Sequence, residues 1–138
     1  MLKVFVYGTL KPGESNYQRY CAGKIIPIQV GMTDVTPVRA YTFGNLFTLQ
    51  MGYPAMTTGK SKVYGYLLAF SDCEIMKDLD DLEGYDPSLN AASNLYNRYQ
   101  VEIFNLQNQP IGNAWTYFMS QEKVKEFKGV YIKDGWWS

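Results

Sequence analysis

One stretch of this chain carries complete helix punctuation, and the runs around it read as strands. Ser71 followed by Glu74 forms a capping box, Gly84 supplies a left-handed stop, and Ile75, Met76, Leu79 and Leu82 recur between them at helical spacing. Leu2 to Tyr7 reads as a buried first strand, and Gly8 to Gly13 as a loop. Ser15 to Cys21 reads as a short helix, and Lys24 to Thr33 and Val38 to Leu49 as strand-rich segments. Tyr53 to Met56 reads as a short edge piece and Val63 to Phe70 as the strand leading into the main helix. Asp86 to Asn94 is a polar loop. Tyr99 to Leu106 and Ile111 to Met119 form a hairpin across Gln107 to Pro110. Ser120 to Lys128 reads as a helical turn, and Gly135-Trp136-Trp137 closes the sequence. Many strands with one principal helix and short flanking helices give an α+β class, a small barrel-like and mostly antiparallel sheet. With 138 residues and no repeat or linker, the expectation is a single domain over residues 1–138.

Glu83 sits oddly on that helix. Advancing about 100° per residue from Leu79 places Ile75, Met76, Leu82 and Glu83 within about 60° of it. Asp78, Asp80 and Asp81 fall about 100° or more away, outside the apolar arc. A carboxyl on a buried face is pushed towards its neutral form by desolvation. The negative end of the helix and the nearby Asp78, Asp80, Asp81 and Asp86 are expected to push the same way. Those influences tune a glutamate for general base or acid work near neutral pH. The plainer alternative is that Glu83 frays outward at the last turn, or pairs with Arg98 or Arg19.

Composition excludes more than it suggests. There is no histidine, so no Ser-His-Asp or Cys-His nucleophile system and no imidazole-built zinc site exist. Cys21 and Cys73 form no disulfide framework and have no evident base beside them, which makes both read as spectators. They point to a reduced, cytoplasmic setting, as does a first strand that begins at once without a signal-like segment. Lys plus Arg equals Asp plus Glu at 13 each, which leaves no charge footprint for nucleic acid or an acidic membrane. No apolar stretch is long enough to span a bilayer.

Tyr7-Gly8-Thr9-Leu10 follows directly from the first strand. Consecutive amides there form a nest suited to a carboxylate or a carbonyl oxygen. The alternative is an ordinary turn that needs glycine for a positive φ. Tyr53 and Pro54 read either as a rigid pocket wall or as an edge strand. Arg98 reads as a partner for Glu83 or an anionic substrate group, or as a solvated strand-start residue. Tyr117, with Trp115, Trp136 and Trp137, reads as core and rim packing or as a pocket side chain.

Taken in order, Val4 to Gly13, Gly52-Tyr53-Pro54-Ala55, Leu79 to Tyr85 and Tyr96-Asn97-Arg98 resemble the gamma-glutamylcyclotransferase-like family, in particular its small single-domain branch. The resemblance implies a mixed α+β fold round a barrel-like sheet, with the pocket at one mouth. It implies that Tyr7, Gly8, Thr9 and Leu10 hold the glutamyl part of a small-molecule substrate, and that Glu83 accepts the proton. The implied reaction is attack of the substrate's own α-amine on its γ-carbonyl, giving 5-oxoproline and a free amine without metal or cofactor. A binding or regulatory protein that keeps the pocket without turnover is the alternative. The leaving amine is not legible in these residues.

Overall fold

The computed structural model describes residues 1–30, 33–35 and 37–138. Its elements in chain order are β1 (Leu2–Val6), α1 (Ser15–Tyr20), β2 (Ile25–Ile26), β3 (Ile28–Val30), β4 (Thr33–Val35), β5 (Val38–Thr48) and β6 (Pro54–Phe70). They continue with α2 (Ile75–Glu83), a 3₁₀ turn at Ala91–Ser93, β7 (Asn97–Phe104), β8 (Pro110–Phe118), α3 (Gln121–Glu126) and β9 (Val130–Tyr131). Gly31 and Met32, inside the strand-rich stretch expected from Lys24 to Thr33, lie outside the described residues.

The principal sheet runs β2-β6-β1-β8-β7-β5-β9, and an added β6–β5 pairing turns its middle five strands into a ring. Among the described residues only β1 and β8 run parallel, meeting at Val4 and Trp115. This is the α+β, barrel-like sheet with one principal helix that the pattern of runs implies. Both faces of β1 and of the end of β6 are covered. Val4, Val6, Leu68 and Phe70 join one core cluster, while Phe5, Tyr7, Leu67 and Ala69 join the other. Strands buried on two faces read as continuous apolar runs, which is how Leu2 to Tyr7 reads.

The expected edge piece at Tyr53 to Met56 is instead the beginning of a 17-residue strand inside the ring. Pro54 fits because it opens the strand, where a missing amide costs no ladder bond. The polar Thr58-Gly59-Lys60 only looks like a break. Gly44 pairs with Ser61 and the next residue, Asn45, with Thr57, so those residues bulge from the strand without ending it.

α2 starts later than the sequence signals suggest. Ser71 does not cap it. The Asp72 carboxylate accepts from the Glu74 amide at 2.9 Å, and the helix begins at Ile75. Its far end behaves as expected: Gly84 is left-handed at φ 65, and the Tyr85 amide donates back to the Asp80 carbonyl at 2.9 Å. Ile75, Met76 and Leu79 are buried against β1, β6 and β8 residues in the first cluster. Each side chain of that size is worth about 1.5–3 kcal/mol when fully buried. The seating of α2 fixes where its last turn points.

Candidate active site

A cavity of about 190 Å³ opens where β1 ends and α2 stops. Tyr7, Gly8, Thr9 and Leu10 form one side, and Tyr53 and Pro54 a second. Leu82 and Glu83 come from the last turn of α2, Leu95 and Tyr96 from the segment before β7, and Tyr117 from β8. Phe5, Val6 and Asn16 complete the lining. Among these residues Glu83 is the sole acid, and there is no lysine or arginine.

Glu83 is half-buried and faces this cavity. Burial pushes its carboxyl up to about 7. Burial is the resolved cause, and the neighbouring aspartates, expected to push the same way, add no resolved push. Asp78, Asp81 and Asp86 are exposed to water, and Asp80 is neutralised by Arg98. Among the described residues Glu83 has no hydrogen-bond or ion-pair partner. Neither Arg98 nor Arg19 reaches it.

Three tyrosine hydroxyls that feel the charge of Glu83 are committed elsewhere. Tyr7 donates to the Tyr117 carbonyl at 2.7 Å and accepts from the Met56 amide at 3.2 Å. Tyr96 donates to the Pro54 carbonyl at 2.7 Å. Tyr117 donates to Asp80 Oδ1 at 2.7 Å. Burial raises the phenols of all three, and the charge of Glu83 raises each further. They stay protonated and frame the carboxyl without binding its proton.

The first loop has the opposite character, a surplus of donors. Its carbonyls are taken: Lys11 N–H donates to Gly8 at 3.0 Å and Asn16 N–H to Thr9 at 3.0 Å. Thr9 Oγ1 also accepts from the Asn16 side chain at 2.9 Å. The amides of Gly8, Thr9 and Leu10 meet no acceptor among the described residues. Such a run of free N–H groups forms a place for a carboxylate or an oxyanion. Glycine is required at position 8 for space, since a Cβ there would lie 2.7 Å from Pro54 Cγ. The positive φ expected of a turn glycine occurs at Gly13 instead, at 90°.

Tyr7, Gly8, Thr9, Leu10, Tyr53, Pro54, Glu83 and Tyr117 therefore meet at one cavity, and Arg98 does not. Arg98 Nε donates to Asp80 Oδ1 at 2.9 Å, and its guanidinium lies 5.1 Å from the Tyr85 ring and 4.6 Å from that of Trp115. Asp80, expected on the solvent side, is buried. Its position at the edge of the apolar arc turns it into β7 and β8, which supply both partners. Tyr96, Leu82, Leu95 and Asn16 are lining residues not singled out beforehand. Leu82 lies in the apolar arc, and Tyr96 opens the Tyr96-Asn97-Arg98 motif, so both carry a signal. Cys21 is buried, its thiol pushed up to about 11 by burial, and Cys73 is exposed. Among the described residues no group of three or more metal-ligand side chains gathers, and no helix is long and apolar enough to cross a membrane.

Comparisons with known proteins agree with the fold and the motifs. Residues 4–138 match the family described as gamma-glutamyl cyclotransferase, AIG2-like. Gamma-L-glutamyl-butirosin B gamma-glutamyl cyclotransferase from Niallia circulans is 25% identical over 126 residues, 91% of this chain and 72% of that protein. An AIG2-like protein from Mus musculus superposes with a TM-score of 0.72 at 19% identity, over 100% of this chain and 88% of the mouse chain. YkqA from Bacillus subtilis gives a TM-score of 0.65 at 22% identity; the match covers 99% of this chain but only 39% of YkqA. The chain belongs to the gamma-glutamyl cyclotransferase, AIG2-like family and is a cyclotransferase enzyme.

Proposed function

We propose that the protein converts a gamma-glutamyl amide into 5-oxoproline and a free amine, with Glu83 as the proton carrier. One observation carries this reading: an unpartnered carboxyl poised near neutrality shares a small cavity with three amides that lack acceptors. The relative that acts on a gamma-glutamyl derivative of butirosin supports the substrate class.

The glutamyl head enters with its charged and developing-charge oxygens towards the amides of Gly8, Thr9 and Leu10. No cationic side chain lines the cavity, so anion binding falls to backbone donors. Tyr7 contributes its ring and backbone, because its hydroxyl is already engaged. Tyr53 and Pro54 wall the pocket and hold the chain of the substrate folded. Glu83 takes a proton from the α-ammonium, and the freed amine attacks the γ-carbonyl. The oxyanion settles among the loop amides. Protonated Glu83 then gives its proton to the leaving nitrogen as the carbon–nitrogen bond breaks, and the carboxylate so regenerated takes the second proton from the new ring nitrogen and passes it to the departing amine, which leaves as an ammonium. Because attack is intramolecular, holding the folded conformer supplies much of the rate.

The cavity, at about 190 Å³, is smaller than the 300–1,000 Å³ of a drug-sized site, so it suits the glutamyl head while the amine projects past the rim. The test is a 5-oxoproline release assay over a panel of gamma-glutamyl amides. Release by the wild type and none by Glu83→Gln supports the reading. Equal release by both, or binding of the panel by the wild type with no product, overturns it.

A further inference from the structure

Lys11 is a buried lysine that the reaction above does not use. No acid pairs with it at salt-bridge distance among the described residues. Its ammonium donates to the Trp137 carbonyl and lies 3.5 Å from the centre of the Trp136 ring. Burial lowers its pKa. A buried ammonium of this kind is tolerated because an aromatic face and a carbonyl replace its water.

Both ends of this contact are anchored. On the loop side, the Lys11 amide closes the turn on Gly8, and its carbonyl accepts from Glu14 at 2.9 Å. On the other side, the Gly135 carbonyl accepts from the Tyr64 amide of β6 at 2.8 Å. A Cβ at Gly135, where φ is 73°, would fall 2.0 Å from the Lys62 carbonyl, so the segment lies directly on that strand. Trp136 also packs edge-on against Tyr66 of β6, 6.2 Å between ring centres. One side chain thus ties the loop that bears the free amides to the segment lying on β6.

We propose that Lys11, strapped by Trp136 and Trp137, is a positioning residue that holds the Gly8–Leu10 amides in their substrate-binding arrangement. The proposal rests on the reading that those amides grip the glutamyl head. Lys11 touches no substrate; it acts through the loop, and its charge, one residue beyond the last free amide, favours an anion there.

The variants are Lys11→Met, Lys11→Arg, Trp136→Ala and the Lys11→Met/Trp136→Ala double. Loss of the strap raises KM for a gamma-glutamyl amide about tenfold in Lys11→Met while kcat stays within about twofold, the pattern of lost uniform binding. The pH midpoint of kcat/KM stays where Glu83 sets it. Lys11→Arg, which keeps charge and stacking, recovers most of the loss. The double variant is no worse than the poorer single, because both remove one coupled contact. Hydrogen exchange of the Lys11, Glu14 and Asn16 amides, whose bonds to loop carbonyls hold the loop closed, is read without any turnover and quickens about tenfold in Lys11→Met and Trp136→Ala. Unchanged exchange, an unchanged KM, or single effects that multiply in the double would overturn the proposal. Exchange that quickens in a protein releasing no 5-oxoproline keeps the strap and discards the reaction, so the two failures are told apart.

Discussion

Asp80 and Glu83 stand about one turn apart on the same helix and have opposite fates. Asp80 receives an arginine at 2.9 Å and a tyrosine hydroxyl at 2.7 Å on one oxygen. Glu83 receives neither, although three tyrosines stand close enough to feel its charge. Asp80 is buried and Glu83 half-buried, so burial alone does not make a reactive acid. The difference lies in the partners. A structural carboxylate is satisfied by the protein, whereas a working one is left for the ligand to satisfy.

The sharpest way to break that contrast is Glu83→Gln. It keeps shape and removes the proton carrier, and 5-oxoproline release falls by at least about a thousandfold, measured by product quantitation. Removing the partner of the other carboxylate acts on the fold. The Arg98 and Asp80 side chains are 19% and 11% exposed, so Arg98→Met strands a mostly buried charge and costs about 3–5 kcal/mol in urea unfolding at pH 7. Adding Asp80→Asn to that variant restores more than half of the loss.

Glu83 itself works against stability above neutrality. Its folded pKa of about 7 lies above the ordinary 4.5. The native state holds a proton that the unfolded chain gives up between those values. That contribution is fully present below about 4.5 and is lost as pH rises through 7. Glu83→Gln escapes the loss and gains up to about 3 kcal/mol over wild type between acid pH and pH 8, seen in paired denaturation curves. A variant that is dead yet more stable marks strain kept for function.

The smallest expected effect is at Tyr117→Phe. Its hydroxyl serves Asp80, so about 1 kcal/mol of stability is lost and kcat stays within about threefold. Loss of turnover with stability intact would move that hydroxyl to the Glu83 side of the comparison.

The sequence carried the helix stop, the Tyr7–Leu10 nest and the inward face of Glu83, because caps, glycines and apolar spacing are local signals. It misplaced what depends on distant partners. Asp80 lies at the margin of the apolar arc, and only the approach of β7 and β8 decides that it goes inside. Arg98 was legible as a charge seeking an acid, but which acid is a matter of register. Tyr53 to Met56 reads as an edge because a bulge of polar residues hides the continuity of β6. Lys11 lies in the Val4 to Gly13 motif, but nothing local marks its role, since the Trp137 carbonyl it meets is 126 residues away along the chain.

The contact between Gly8 and the ring of Pro54 has a consequence for redesign. The two positions come from separate segments, yet they constitute a single variable. A side chain can be introduced at the first only after the ring has been given up at the second. A library that randomises position 8 alone would sample almost nothing that closes, whereas one that varies the couple explores a new pocket floor.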